Sequence, residues 1–175
     1  MVVTTALYIG LIIGVAGQRL TEVRQSRRYE AALKARGGVE HAPIQLRVMV
    51  VLHTAWLLSA IAEPLLFARP FSLPLAASAF SVFLLGQLLR YSGRRALGER
   101  WTVSIVTLPG APMVTSGIFQ YLRHPIYVGV ALEIAALPLI HSAWITALVF
   151  SALNGAVLLW RISEEERALG LRAAR

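Results

Sequence analysis

The 175-residue chain is 57% hydrophobic and only 15% charged, whereas a soluble domain is about 45–50% apolar and about 25% charged. Because a small domain exposes a large share of its surface, this composition excludes an ordinary water-soluble protein and indicates a single domain, residues 1–175, embedded in a membrane. The net charge of +8 comes from basic residues in short segments between apolar runs, a placement that fits membrane lipid and insertion topology and argues against a nucleic-acid partner.

Apolar runs long enough to span a bilayer recur along the chain. Since a transmembrane helix needs about 20 mostly apolar residues, we predict the first three spans at residues 2–20, 46–67 and about 71–89. The apolar run at 125–160 is too long for one span and predicts a helical hairpin that turns near residues 140–143. The expected fold class is therefore all-α, a polytopic membrane bundle of about five transmembrane helices.

Basic residues are distributed unevenly about these spans. With the N-terminus outside, 16 of the 17 Lys and Arg residues fall in segments on the inside, and only Arg69 falls outside. The positive-inside rule therefore predicts an N-out/C-in topology. Residues 88–100 are expected to continue the third helix out of the bilayer, and the alternation at 101–106 predicts a short extended segment.

The densest polar string opens the fourth predicted span and reads Arg123-His124-Pro125-Ile126-Tyr127-Val128-Gly129. Pro125 suits the first helical turn, where its missing N–H costs nothing, and the free N–H groups of a helix N-terminus favour a carboxylate or phosphate. Arg123 adds a forked donor for the same anion, and Gly129 permits close approach of a ligand or helix. Taken one at a time, Arg123 could simply extend to the membrane surface and Tyr127 could belong to an interfacial aromatic belt. Taken together as one contiguous string, the residues indicate a functional site.

A second polar string lies where the fifth span leaves the bilayer. It contains Arg161 and three consecutive acids, Glu164 to Glu166, against the local basic bias. A solvated helix end would explain it, but the predicted hairpin brings residue 160 back to the level of residue 125. We therefore expect the two strings to share a pocket with an anion site beside an acidic site, which suits a zwitterionic ligand with a cationic portion.

Both strings resemble one protein family. The pattern Leu122-Arg123-His124-Pro125-x-Tyr127-x-Gly129, followed by a hairpin and Arg161-Ile162-x-x-Glu165-Glu166-x-x-Leu169, resembles the isoprenylcysteine carboxyl methyltransferase family and the related phospholipid methyltransferases. Upstream, Leu97-Gly98-x-x-Trp101-Thr102 and Met113-Val114-x-x-Gly117 are similar to that family's third inter-helix loop. The likeness covers residues 84–169, and it departs from the family at Gly117-Ile118-Phe119, where Gly-Pro-Tyr is frequent.

The resemblance implies a methyltransferase that uses S-adenosylmethionine in a helical, non-Rossmann site. By carry-over, the cofactor-binding residues would be His124, Pro125, Tyr127, Gly129, Glu165 and Glu166. Arg123 would orient the acceptor or the cofactor carboxylate and is the first candidate catalytic residue. No metal ion is implied.

Two acids within the spans are assigned separately. A charge at Glu133, about two helical turns from Pro125, costs several kcal/mol on insertion scales, so we expect Glu133 to face the bundle interior, protonated or paired, as the second candidate catalytic residue. Glu63 precedes Pro64 near the predicted outer boundary and is expected to be solvated.

The methyl acceptor and the competing functions stay open at this point. A prenylated peptide, a phospholipid amine, a polyprenyl carboxylate and the acidic hydroxyl of a long-chain alkylpyrone all fit a lipophilic acceptor that enters from the membrane. An NADPH-dependent sterol- or enoyl-lipid-type reductase is the alternative enzyme, because its C-terminal region also resembles Arg-His-Pro-x-Tyr-x-Gly. A non-enzymatic structural membrane protein is the third reading, and no oligomeric state follows from the sequence.

Overall fold

The computed structural model describes residues 2–171. Five α-helices make up most of this region: α1 (Val2–Ala35), α2 (Ile44–Leu66), α3 (Leu73–Leu97), α4 (Pro125–Leu139) and α5 (Trp144–Ala168). Four of them are long and apolar enough to cross a membrane, and α4 is a shorter apolar helix of 15 residues. The predicted all-α polytopic bundle is confirmed, with its hairpin turn at residues 140–143.

The ends of the helices differ from the ends of the apolar runs. Helix α1 continues through the polar residues 21–35, because this stretch is rich in Ala, Glu and Arg and meets no breaker before Gly37, where φ is +86°. Helix α3 continues past the apolar run to Leu97, as the sequence predicts, and ends at Gly98 with φ +55°. Both helices therefore carry charged residues on continuous helical faces.

A small ribbon joins the connections at one end of the bundle. Strand β1 (Val39–His41) pairs antiparallel with strand β2 (Ile105–Thr107). The sequence predicts an extended segment near β2 but contains no signal for β1, because three residues are too few to show a period. The ribbon lies at the end where α4 begins and α5 ends, which we call the motif end.

Helices α3 and α4 pack in closest contact because two glycines face each other. A Cβ atom on Gly129 would lie 2.6 Å from the carbonyl oxygen of Gly86 and 2.6 Å from Cγ of Arg90. On the other side of α4, the fully buried Trp56 of α2 donates from Nε1 to the Ile134 carbonyl oxygen at 3.2 Å. These contacts hold α4 at the centre of the bundle.

The opposite end is fixed by Glu63, and its expected solvation is wrong. Glu63 is buried and accepts hydrogen bonds from the backbone N–H groups of Ile145 at 3.1 Å and Thr146 at 2.6 Å, while Arg69 pairs with it at 2.9 Å. The first N–H groups of a helix have no partner within the helix. The carboxylate of α2 supplies that partner to α5 and fixes the hairpin against α2.

Candidate active site

The two polar strings meet at the motif end. Pro125 begins α4, and α5 runs beyond its apolar part to Ala168, so that the acids are on a helix and not in a free tail. The Tyr127 hydroxyl donates to Oε2 of Glu165 at 2.5 Å. His124 Nε2 and Arg123 Nη1 lie 3.5 Å and 3.6 Å from Oε1 of Glu166. The structure thus brings together the two segments that the hairpin geometry predicts to converge.

The two basic residues that precede α4 differ in their surroundings. The His124 ring stacks on Tyr127 with centroids 5.6 Å apart, and its side chain is 18% exposed. The Arg123 side chain is 74% exposed. Arg123 therefore stands at the rim of the site, whereas His124 belongs to its wall.

Arg161 occupies the interior of the same site. It is 3% exposed, its Nη2 donates to the Val103 carbonyl oxygen at 2.7 Å, and its guanidinium carbon lies 5.8 Å from the centre of the Tyr127 ring. Its Nε and Nη1 have no hydrogen-bond partner among the residues that the structure describes. Arg161 is part of the sequence motif, but the sequence analysis does not predict it as a site residue. Its position one turn before Glu165 on the same helix face is the signal that points to it.

A buried ion network lies deeper in the bundle, around Glu133. Glu133 is 0% exposed, accepts from Arg90 Nη1 at 3.1 Å on both oxygens, and pairs with Arg19 of α1. Glu22 of α1 binds Arg19 at 3.0 Å and Arg94 at 2.7 Å, and it also pairs with Arg90. The expected interior position of Glu133 is thus observed, with the charge paired.

Sequence reasoning missed the contribution of α1 to this network. The polar composition from Thr21 onward predicts a connection between two spans, and Glu22 therefore lies outside every predicted span. The spacing of Arg19 and Glu22, three residues apart, is the signal for a helical ion pair that continues the first span.

One large cavity connects the site to the membrane. Its volume is about 610 Å³, and its polar wall includes Arg123, His124, Tyr127, Arg161 and Glu165, together with Arg19 and Arg90 from the network. Pro125 also lines it. Among the described residues, Gly129, Glu133 and Glu166 are not part of the lining: Gly129 packs on α3, Glu133 lies behind the arginines, and Glu166 borders His124.

The other half of the cavity is an apolar groove between α1 and α2. Its walls are side chains such as Ile13 and Ala16 of α1 and Leu57, Leu58 and Ile61 of α2. Ile13 and Leu58 are each 63% exposed, so the groove reaches the outer surface of the bundle, where lipid chains lie around a membrane protein. A polar ligand and an apolar ligand can therefore enter the same cavity from different sides.

The chain is similar to one protein family and to two uncharacterized bacterial proteins. Residues 77–170 match the isoprenylcysteine carboxyl methyltransferase (ICMT) family. The chain is 35% identical over 153 residues to YpbQ of Bacillus subtilis, an uncharacterized protein, which covers 87% of this chain and 90% of that relative. It is 32% identical over 149 residues to an uncharacterized protein of Haemophilus influenzae, which covers 82% and 84%. No solved structure matches the chain.

Proposed function

The chain belongs to the isoprenylcysteine carboxyl methyltransferase family and is an integral membrane protein, and we propose that it is a methyltransferase that uses S-adenosylmethionine. In this proposal it methylates a lipophilic acceptor at the cytoplasmic face of the membrane. One observation carries the proposal: a single cavity joins the polar residues of both motif strings to an apolar groove that is open to lipid. In the described residues 2–171, Arg69 is the one basic residue among 15 that follows a span at the opposite end of the bundle, so the positive-inside rule supports a cytoplasmic position for the motif end.

The residues at the polar end fit the proposed cofactor in charge and in size. Sites for small molecules typically enclose about 300–1,000 Å³, a range that includes this cavity of about 610 Å³. Glu165, which lines the cavity, is the acceptor for the α-ammonium group, while Glu166 lies behind it next to His124. The stacked His124 and Tyr127 rings give a flat apolar wall. S-adenosylmethionine, when bound, supplies a methyl group that is already activated on a sulfonium.

Because the donor is activated, the protein has to position the two reactants and exclude water. The groove between α1 and α2 would hold the apolar chain of the acceptor, with its reactive end directed towards the motif end. Arg123, at the rim, would attract the anionic parts of ligands that enter from the aqueous side. Glu133 does not line the cavity, and we assign it a positioning role: it holds Arg19 and Arg90, which do.

The charge of the network favours an acidic oxygen as the methyl acceptor over an amine. Three arginines, Arg19, Arg90 and Arg94, surround two carboxylates, Glu22 and Glu133, which leaves one excess positive charge beside the cavity. An excess cation in a site with little water attracts a carboxylate or an ionised hydroxyl and repels an ammonium group. Of the acceptor classes open from the sequence, a lipophilic carboxylate or acidic hydroxyl fits better than a phospholipid amine.

Ligand-dependent stability tests the cofactor assignment and separates it from the reductase alternative. Protein purified in detergent is titrated with S-adenosylhomocysteine and with NADPH, because a ligand that binds the folded state raises the melting temperature. We expect the melting temperature to rise with S-adenosylhomocysteine and not with NADPH. In Glu165→Gln we expect the rise with S-adenosylhomocysteine to be smaller. Glu164→Gln is the matched control, since Glu164 pairs with Arg167 on the outside of α5. A shift with NADPH alone would instead establish the reductase.

The acceptor is identified with labelled cofactor. Membranes that contain the protein are incubated with methyl-labelled S-adenosylmethionine and extracted lipids, and the labelled product is analysed by mass spectrometry. Label on an ester or ether oxygen supports the charge argument. Label on a phospholipid nitrogen contradicts it.

A further inference from the structure

His53 is a half-buried polar side chain in the wall of the apolar groove between α1 and α2, one helical turn before Leu57, which lines the same groove. Its Nδ1 lies 2.8 Å from the Met49 carbonyl oxygen. Because a carbonyl can only accept a hydrogen bond, Nδ1 carries the proton, and Nε2 of the neutral ring is left as an acceptor. Among residues 2–171, Nε2 has no hydrogen-bond partner, and it is not enclosed by the protein. The groove therefore contains a nitrogen lone pair that a ligand can reach.

This lone pair lies at the depth of the buried ion network. The His53 ring meets the Trp56 ring edge-on, with centroids 6.1 Å apart, and Trp56 donates to the backbone of α4 at the residue after Glu133. Arg19 and Arg90, which Glu133 holds, line the same cavity as His53. The cavity wall thus carries a neutral nitrogen acceptor and two guanidinium groups beside the apolar groove.

A lipophilic acid that enters the groove from lipid needs such an acceptor. Apolar surroundings penalise a charge by several kcal/mol, so the acid enters in its neutral O–H form. The oxygen of a neutral O–H is a weak nucleophile, and it has to lose its proton as it attacks the methyl group. Imidazole is the side chain that most often takes such a proton, and nearby cations stabilise the negative charge that develops on the oxygen.

Resting on the proposed function, we infer that Nε2 of His53 is the catalytic base that takes the proton from the O–H group of the acceptor. The acceptor oxygen forms a bond to the methyl carbon, the bond between that carbon and the sulfonium sulfur breaks with its electron pair going to sulfur, and the proton goes to Nε2. The positive charge of the sulfonium therefore ends on the imidazolium. The products are a methyl ester or ether and S-adenosylhomocysteine.

A substitution that keeps the hydrogen bond but removes the base tests this role. The amide of His53→Gln still has a donor and an acceptor, but it cannot take the proton. Transfer of labelled methyl groups to a total lipid extract is measured with the full chain in detergent. Because general-base catalysis contributes about 10²–10⁴-fold, we expect the maximal rate of His53→Gln to fall at least about 100-fold, with KM for the extract within about threefold of wild type. His41→Gln is the matched control, since His41 is also half-buried but lies on β1 and does not line the cavity.

Chemical rescue separates a base from a packing residue. His53→Ala leaves space for a free imidazole in the cavity wall, and imidazole in the buffer is expected to raise the rate of this variant at least about tenfold. The same imidazole should leave the rates of the wild type and of His53→Gln unchanged, because their side chains occupy the space. A side chain that serves only for packing is not replaced by a soluble base.

The outcomes separate the inference from the function on which it rests. A wild-type rate in His53→Gln, or a loss in His53→Ala that imidazole does not restore, overturns the assignment of His53 and leaves the methyltransferase intact. A wild type that transfers no label overturns the proposed function and the assignment with it. Where His53→Ala does not purify as a monodisperse protein, the rate of His53→Gln alone decides.

Discussion

The hydroxyl of Tyr127 donates to the carboxylate of Glu165 across a distance of 2.5 Å, although 38 residues separate them in the chain. This contact joins the first turn of α4 to the last turns of α5 at the wall of the cavity. Glu165 is thus held in one orientation by a residue of the other motif string. The hairpin acts as the scaffold of the site, because it sets the distance between the two strings.

Removal of this hydroxyl tests whether the orientation of Glu165 matters for the cofactor. Tyr127→Phe keeps the stacked ring but loses the hydrogen bond, and we expect the affinity for S-adenosylhomocysteine to fall about 10-fold, the cost of a hydrogen bond to a charged group. Calorimetry in detergent measures the change. Tyr91→Phe is the control, since Tyr91 is 61% exposed on α3 and does not line the large cavity. Equal losses in the two variants would contradict the role of Tyr127.

The glycine contact between α3 and α4 predicts a stability change that depends on position. A methyl group on Gly129 would lie 2.6 Å from the Gly86 carbonyl oxygen, so Gly129→Ala must separate the two helices and is expected to cost about 1–3 kcal/mol. Gly155→Ala on α5 is the matched control, because no atom lies within 4 Å of its added carbon. Thermal unfolding in detergent should show a lower melting temperature for Gly129→Ala alone. A Gly129→Ala protein as stable as the wild type would show that the helices do not pack this closely.

The sequence determines the number of helices and the convergence of the two strings, because both depend on long signals. The apolar runs set the helices, and the 36-residue run at 125–160 has room for only one antiparallel turn. Pro125 marks the start of α4, and Glu165 is far enough along α5 to return to the same level. Hydropathy and helix geometry suffice for this part of the site.

What the sequence does not predict depends on contacts between distant segments. The end of the apolar run at Leu20 does not end α1, so the pairing of Glu22 with Arg90 and Arg94 has no local signal. Arg161 becomes a wall residue only because the loop carrying Val103 lies over it. The position of that loop follows from tertiary packing, which no local periodicity encodes.

Neutralisation of Glu133 tests the buried ion network. Glu133→Gln removes one of two carboxylates that balance three arginines, and breaking a buried pair in this way costs about 3–5 kcal/mol. We expect a large fall in melting temperature together with reduced methyl transfer, because Arg19 and Arg90 lose their positions in the cavity wall. Glu99→Gln is the control, since Glu99 is exposed in the turn after α3. Unchanged folding and methyl transfer in Glu133→Gln would remove Glu133 from the functional network.

Obstruction of the groove between α1 and α2 separates acceptor binding from cofactor binding. Ala16 lines the apolar half of the cavity, so Ala16→Phe places a ring where the acceptor chain is proposed to lie. The acceptor chain can then bind only if the ring moves aside, and forcing an extra group into an apolar site costs about 1–3 kcal/mol, where each 1.4 kcal/mol is a factor of about ten in affinity. Transfer of labelled methyl groups to extracted lipids should therefore fall about 10-fold, while the affinity for S-adenosylhomocysteine stays within about twofold, because the cofactor residues lie at the motif end. Ala6→Phe adds the same ring to an exposed position of α1 outside the cavity and should leave both measurements unchanged. If Ala16→Phe transfers methyl groups at the wild-type rate, the acceptor does not enter between α1 and α2.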